Sequence, residues 1–245
     1  MAALAAVAIG AGSVTASAAT TAERSGKTAS PSIYIKYLST QINLAIGRGQ
    51  DTTVERAGLG AFKALTPENQ EKYLDYLNES SVMDALLAEA AEPGGGSTRT
   101  TFTSMNGGDV VIETVEEASF TPDPADGGIE PLATRLRKGT WETTYTVKQK
   151  VLGVTVTKLS LWVDYYTNGS KVTQSLNAGA GKRNINPGVS ISNSPPKHWL
   201  SGGVSTAETV WEGSIIFKGF GVSIDKRHRV SANENGFKSG SVKNI

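Results

Sequence analysis

The chain has 245 residues, 38% hydrophobic and 19% charged, enough apolar material for a buried core and too much for a wholly disordered protein. Cysteine is absent, which removes disulfide frameworks, thiolate zinc sites, iron–sulfur clusters and cysteine nucleophiles together. The net charge of +1 conceals an asymmetry: residues 31–92 hold nine Asp/Glu against five Lys/Arg, and residues 139–245 hold thirteen Lys/Arg against six Asp/Glu. Such a split fits either an acidic front docking on a basic back or a basic face for a polyanion.

The chain opens MAALAAVAIGAGSVTASAAT, apolar and small, ending in the Ala16-Ser17-Ala18 pattern that a signal peptidase pocket accepts. Residues 1–18 therefore read as a secretory signal peptide, too short and Gly-rich for a spanning helix. No Lys or Arg precedes its apolar core, as expected of a truncated start. No second stretch approaches membrane-spanning length, so the expected product is secreted or envelope-associated. Export without cysteine suits a Gram-positive envelope, and in style the chain resembles exported proteins of high-GC Gram-positive bacteria. Residues 19–32 are polar and small and read as a linker.

Residues 33–92 read as a helical region. Apolar residues at 33, 34, 37, 38, 42, 45 and 46 keep a helical period. Thr66 with Pro67 marks a second start, with Tyr73, Leu74 and Leu77 as its stripe, and Ser81 with Asp84 marks a third that buries Val82, Leu86 and Leu87. The Gly-rich stretch 93–98 breaks the pattern and is the clearest boundary.

Residues 99–245 alternate. Strands are expected over Arg99–Met105, Asp109–Phe120, Thr140–Val151, Val154–Tyr166, Lys171–Leu176, Val204–Lys218 and Val222–Val230, with turns at Asn106-Gly107-Gly108 and Asn168-Gly169. Short turns without helical crossovers imply antiparallel pairing. The fold class is α+β: an N-terminal helical region packed on a C-terminal antiparallel β-sandwich, with a barrel as second choice.

Recognisable catalytic and cofactor motifs are missing. His198 and His228 lie thirty residues apart without metal-ligand spacing, so neither metal nor cofactor is expected. DPADGGIE (residues 123–130) reads as a turn rather than a calcium loop. AGAGKRN lacks the upstream Gly and the Ser/Thr of a phosphate loop and reads as a turn exposing Lys182 and Arg183. Glu208 and Glu212 share an outward strand face but stand about 13 Å apart, beyond the ~5–9.5 Å of a glycosidase pair. Asp164 or Glu142 from a neighbouring strand remains as a partner for one of them.

Two features point to binding. Lys226, Arg227, His228 and Arg229 form the densest charge cluster, with 226 and 228 on one strand face and 227 and 229 on the other. Trp199, beside His198 in a Pro- and Gly-rich segment, is a loop aromatic. Trp162 and Tyr166 raise a separate question, because they fall on the nominally polar face of their strand. The simpler expectation is that the helices roof them together with Val154 and Val156; the alternative is a sugar-stacking platform.

The expected function is non-catalytic binding of a cell-wall glycan or anionic polymer through Lys182, Arg183, His198, Trp199, Lys226, Arg227, His228 and Arg229. Nucleic acid ranks low for want of interleaved aromatics. The alternatives are a secreted glycan hydrolase using a carboxylate pair and a protein-binding inhibitor or toxin-like module.

Overall fold

The computed structural model describes residues 30–79, 81–82, 86, 99–124, 138–217 and 220–245, with the side chains of residues 214–224 left aside. The leader, most of the 19–32 linker, the 93–98 stretch and the DPADGGIE turn beyond residue 124 lie outside the described residues.

Three helices come first: α1 (Pro31–Gly47), α2 (Thr53–Ala64) and α3 (Pro67–Leu77). Proline opens α1 and α3, where its missing N–H costs nothing. The Thr66 side chain accepts from the Asn69 amide at 3.3 Å, as its position predicts. Helix α1 buries Tyr34, Leu38 and Ile42 at a spacing of four and leaves Ile33 and Ile46 outside. Helix α2 has no counterpart in the sequence reading, because Gly58 and Gly60 dilute its helical signal. Gly58 lies against Ile185: a Cβ there would sit 2.8 Å from Ile185 Cδ1, so a side chain would have to displace that methyl. Beyond α3, residues 81, 82 and 86 are helical, and Val82 and Leu86 are buried as expected.

Ten strands follow: β1 (Arg99–Met105), β2 (Val110–Pro122), β3 (Lys138–Val151), β4 (Val154–Asn168), β5 (Val172–Asn184), β6 (Val189–Asn193), β7 (Lys197–Ser201), β8 (Val204–Phe217), β9 (Phe220–Asn233) and β10 (Gly236–Asn244). They make two antiparallel sheets, β1-β2-β3-β4-β5 and β10-β9-β8-β6, with β7 pairing β8 alongside β6. The protein is thus α+β and sheet-rich, and the sheets are not closed into a barrel. Trp141, Tyr145 and Leu161 of the first sheet share one buried cluster with Ala207, Val230, Ala232 and Phe237 of the second. Gly240 lets the sheets meet, since a Cβ there would lie 2.5 Å from the Tyr145 ring.

The helices dock at one end of this assembly. Tyr34, Phe62, Tyr73 and Leu77 pack with Val110, Val151, Val154, Val156 and Ile185 in a second buried cluster. Polar ties reinforce the contact: the Tyr34 hydroxyl donates to the Ile185 carbonyl at 3.1 Å, and the Asn186 amide donates to the Leu77 carbonyl at 3.1 Å. Glu55 meets Arg183 at 3.6 Å, an acidic-front to basic-back pair, whereas Lys72 with Asp109 runs the other way. Among the described residues no helix is long and apolar enough to cross a membrane.

One expectation is corrected. Val154 and Val156 do meet the helices, but Trp162 and Tyr166 do not belong to that cluster. A register shift opposite Gln149/Lys150 leaves Val156 without a partner, and both Val156 and Thr157 are buried. The bulge moves the two valines off the face that carries Trp162.

Candidate functional site

The second sheet has a compound edge, with β6 and β7 side by side along β8. The Pro195-Pro196 pair separates them, since proline has no N–H to give to a ladder. Strand β7 turns into β8 through Gly202 and Gly203, both at positive φ (55° and 74°), as a tight two-residue hairpin requires. The segment is therefore a strand, not the loop expected from its Pro and Gly content. All five of its residues are exposed.

Strand β5, the edge of the first sheet, faces β7 across a cleft. Its register slips twice against β4, leaving Leu176 and Thr173 without partners. Bulges at sheet edges re-aim side chains, and both residues line the cleft with Gln174, Ser175, His198, Trp199 and Leu200. The space measures about 400 Å³. Leu176 is 45% exposed, Trp199 39% and Leu200 38%; all three border the cleft, with His198 and Leu200 on one face of β7 and Trp199 on the other.

Polar groups fix the walls. Ser205 Oγ donates to Ser175 Oγ at 2.8 Å, and Ser175 Oγ meets His198 Nδ1 at 3.0 Å. Ser175 Oγ keeps a second lone pair, so it can donate to Nδ1 or accept from it, and Nε2 is the second nitrogen of His198. A serine hydrolase would need a carboxylate on that second nitrogen; among the described residues none bonds to it. The Arg229 guanidinium lies 5.7 Å from the centre of the Trp199 ring and also binds Glu208 through Nε at 3.1 Å and through a terminal nitrogen. Arg227 approaches the same carboxylate at 3.6 Å, and Lys197 is its register partner on β7. Three cations thus surround one Glu208 beside the indole.

The structure gathers Trp199, Arg227 and Arg229 around Glu208 on one face of the second sheet, turns His198 to the other face against Ser175, and sends the other expected residues elsewhere. Lys182 donates to the Ile191 carbonyl, and Arg183 reaches α2. AGAGKRN is the second half of β5 rather than a turn, because Gly179 makes room for the Trp162 ring, which a Cβ there would overlap. Lys226 and His228 share one face of β9 and Arg227 and Arg229 the other, as the alternation requires. The first pair is buried: Lys226 holds Asn244, and His228 is fully enclosed. Burial pushes the His228 pKa down to about 3; its Nδ1 accepts from the Trp211 indole at 3.0 Å. The sequence reading missed Leu176, Ser175, Leu200, Lys197 and the pairing role of Glu208. Only the broken alternation at Leu176 could have signalled them.

The carboxylate alternatives separate in the same way. Glu208 is engaged by arginines. Glu142 and Asp164 are direct register partners across β3 and β4, with Glu142 exposed and Asp164 half-buried on an outer sheet face. No family model, curated protein or solved structure matches the chain.

Proposed function

We propose that this protein is an exported, non-catalytic binder of an acidic envelope or extracellular glycan, seated in the cleft between β5 and β7. The observation that carries the reading is the exposed edge strand β7, which bears a guanidinium-stacked indole and a surplus of positive charge on one face and borders the cleft with Leu200 and Leu176 on the other. Aromatic and aliphatic walls suit the C–H face of a sugar ring. Ser175, Gln174 and the His198 imidazole suit its hydroxyls, and Arg229 with Lys197 suits a carboxylate or phosphate on the next unit. The two facing sheets serve as a β-sandwich scaffold that holds both cleft walls at strand edges. The Ala-rich leader supports export, and the absence of cysteine suits a Gram-positive envelope.

The test is calorimetric titration of the full chain with a uronic-acid oligosaccharide and with its neutral counterpart, at low and high salt. The acidic oligomer should bind more tightly, with affinity falling as salt rises. Trp199→Ala should weaken binding by roughly tenfold or more, and Arg229→Gln should flatten the salt dependence. Equal affinity for both oligomers at every salt level, or an unchanged Trp199→Ala variant, would overturn the proposal.

A further inference from the structure

The outer face of the first sheet carries a second arrangement that the cleft does not use. Along β4 it presents Trp162, Asp164 and Tyr166, all half-buried. The Trp162 ring lies over Gly179 of the neighbouring strand, where a Cβ would collide with it, and its far edge reaches toward Gly181. Glycine weakens a strand interior, and two of them two residues apart here form a bed for one indole. Cover for glycine alone accounts for the plate, but not for its neighbours.

Those neighbours are acidic. Glu142 stands directly opposite Asp164, so their Cβ atoms are about 4.5–5.5 Å apart. Like charges placed so are destabilising. Among the described residues Asp164 receives one long bond, 3.5 Å, from the Asn177 amide. Glu117 lies in the same cross-strand row as Trp162, two strands away. The basic residues of this face are occupied or distant. Lys148 pairs with Glu113, Lys138 with Asp123, and Lys158 is four residues along the strand from Trp162, about 13 Å. Tyr166 is fixed by its hydroxyl, which donates to Asp123 at 2.6 Å.

We propose that this face is a binding subsite for a glycan bearing free amino groups, such as a glucosamine polymer. The pyranose ring stacks on Trp162, an ammonium pairs with the Glu142–Asp164 couple, and Asn177 meets hydroxyls. An aromatic face and a carboxylate attract a cation together, and the ligand removes the repulsion that the empty face carries. The charge of this surface is opposite to that of the cleft, so the two sites select opposite polymers.

The test titrates the full chain with a glucosamine hexamer, its N-acetylated form and a neutral glucan of the same length, following tryptophan fluorescence and heat. The amino hexamer should bind, more weakly at high salt, and Trp162→Ala and Asp164→Asn should each reduce affinity roughly tenfold. Trp199→Ala should leave this binding unchanged, which separates the site from the cleft. Asp164→Asn alters no packing, so its result stands even if Trp162→Ala disturbs the strand. Equal binding of all three oligomers, no binding of the amino form, or indifference to Asp164→Asn would each overturn the proposal.

Discussion

Acid should destabilise this protein in large part through one buried imidazole. His228 is fully buried between the sheets, its Nδ1 accepting from Trp211 and its Nε2 without a hydrogen-bond partner among the described residues. Its ring meets Tyr145 edge-on at 5.4 Å, a setting that offers a proton on the second nitrogen no anionic partner. Burial holds its pKa near 3, against 6.5 for the unperturbed group. The folded value lies below the unfolded one, so the unfolded chain takes up the proton first as pH falls. Stability is therefore full above about pH 6.5, declines down to about pH 3, and levels off below. Each pH unit within that window removes about 1.4 kcal/mol. Going from pH 7 to pH 4 should remove about 3 kcal/mol, a large part of the ~5–15 kcal/mol of a typical domain. Glu116 acts in the opposite sense: burial raises its pKa, so protonation favours the folded state. The comparison that isolates His228 is His228→Gln, which keeps an acceptor for the Trp211 indole. Urea unfolding of both proteins at pH 7, 6, 5 and 4 should show the wild-type advantage shrinking by about 3 kcal/mol. Parallel pH dependences in the two proteins would refute the reasoning.

Other substitutions probe the packing. Gly240→Ala places a methyl 2.5 Å from the Tyr145 ring at the sheet-to-sheet contact, and thermal unfolding should show a loss of about 1–3 kcal/mol. Tyr34→Phe removes the hydroxyl that donates to the Ile185 carbonyl and receives the Tyr73 proton at 3.0 Å. It should cost about 1–3 kcal/mol in denaturant unfolding, because two buried groups lose a partner. If the variant instead unfolds its helices at low denaturant while the sheets persist, helices and sheets are not one cooperative unit.

Much of the architecture was legible from period and punctuation. Thr66-Pro67 announces α3, and the odd-numbered residues of β3 point inward from Trp141 to Val151 as alternation requires. The same parity separates Lys226 and His228 from Arg227 and Arg229. What escaped the sequence are the places where one residue is out of step. The bulge at Val156 moves the valines to the helices and leaves Trp162 outside, and the bulges at Thr173 and Leu176 build a cleft wall. Glycine misled twice, at Gly58 in a helix and at Gly179 in a strand, because close approach by Ile185 or Trp162 cannot be read from the glycine's neighbours in sequence. Strand β7 was hidden by the two prolines before it, and β10 by its small polar composition.

The most direct measurement follows the four indole N–H resonances during titration with the uronic-acid oligomer and, separately, the glucosamine hexamer. Trp141 and Trp211 are buried, Trp162 lies on the outer face, and Trp199 lines the cleft. The account predicts that the acidic oligomer moves the Trp199 signal and the amino oligomer the Trp162 signal, with Trp141 and Trp211 unmoved by either. Binding of the acidic oligomer with the Trp199 resonance unshifted would contradict it.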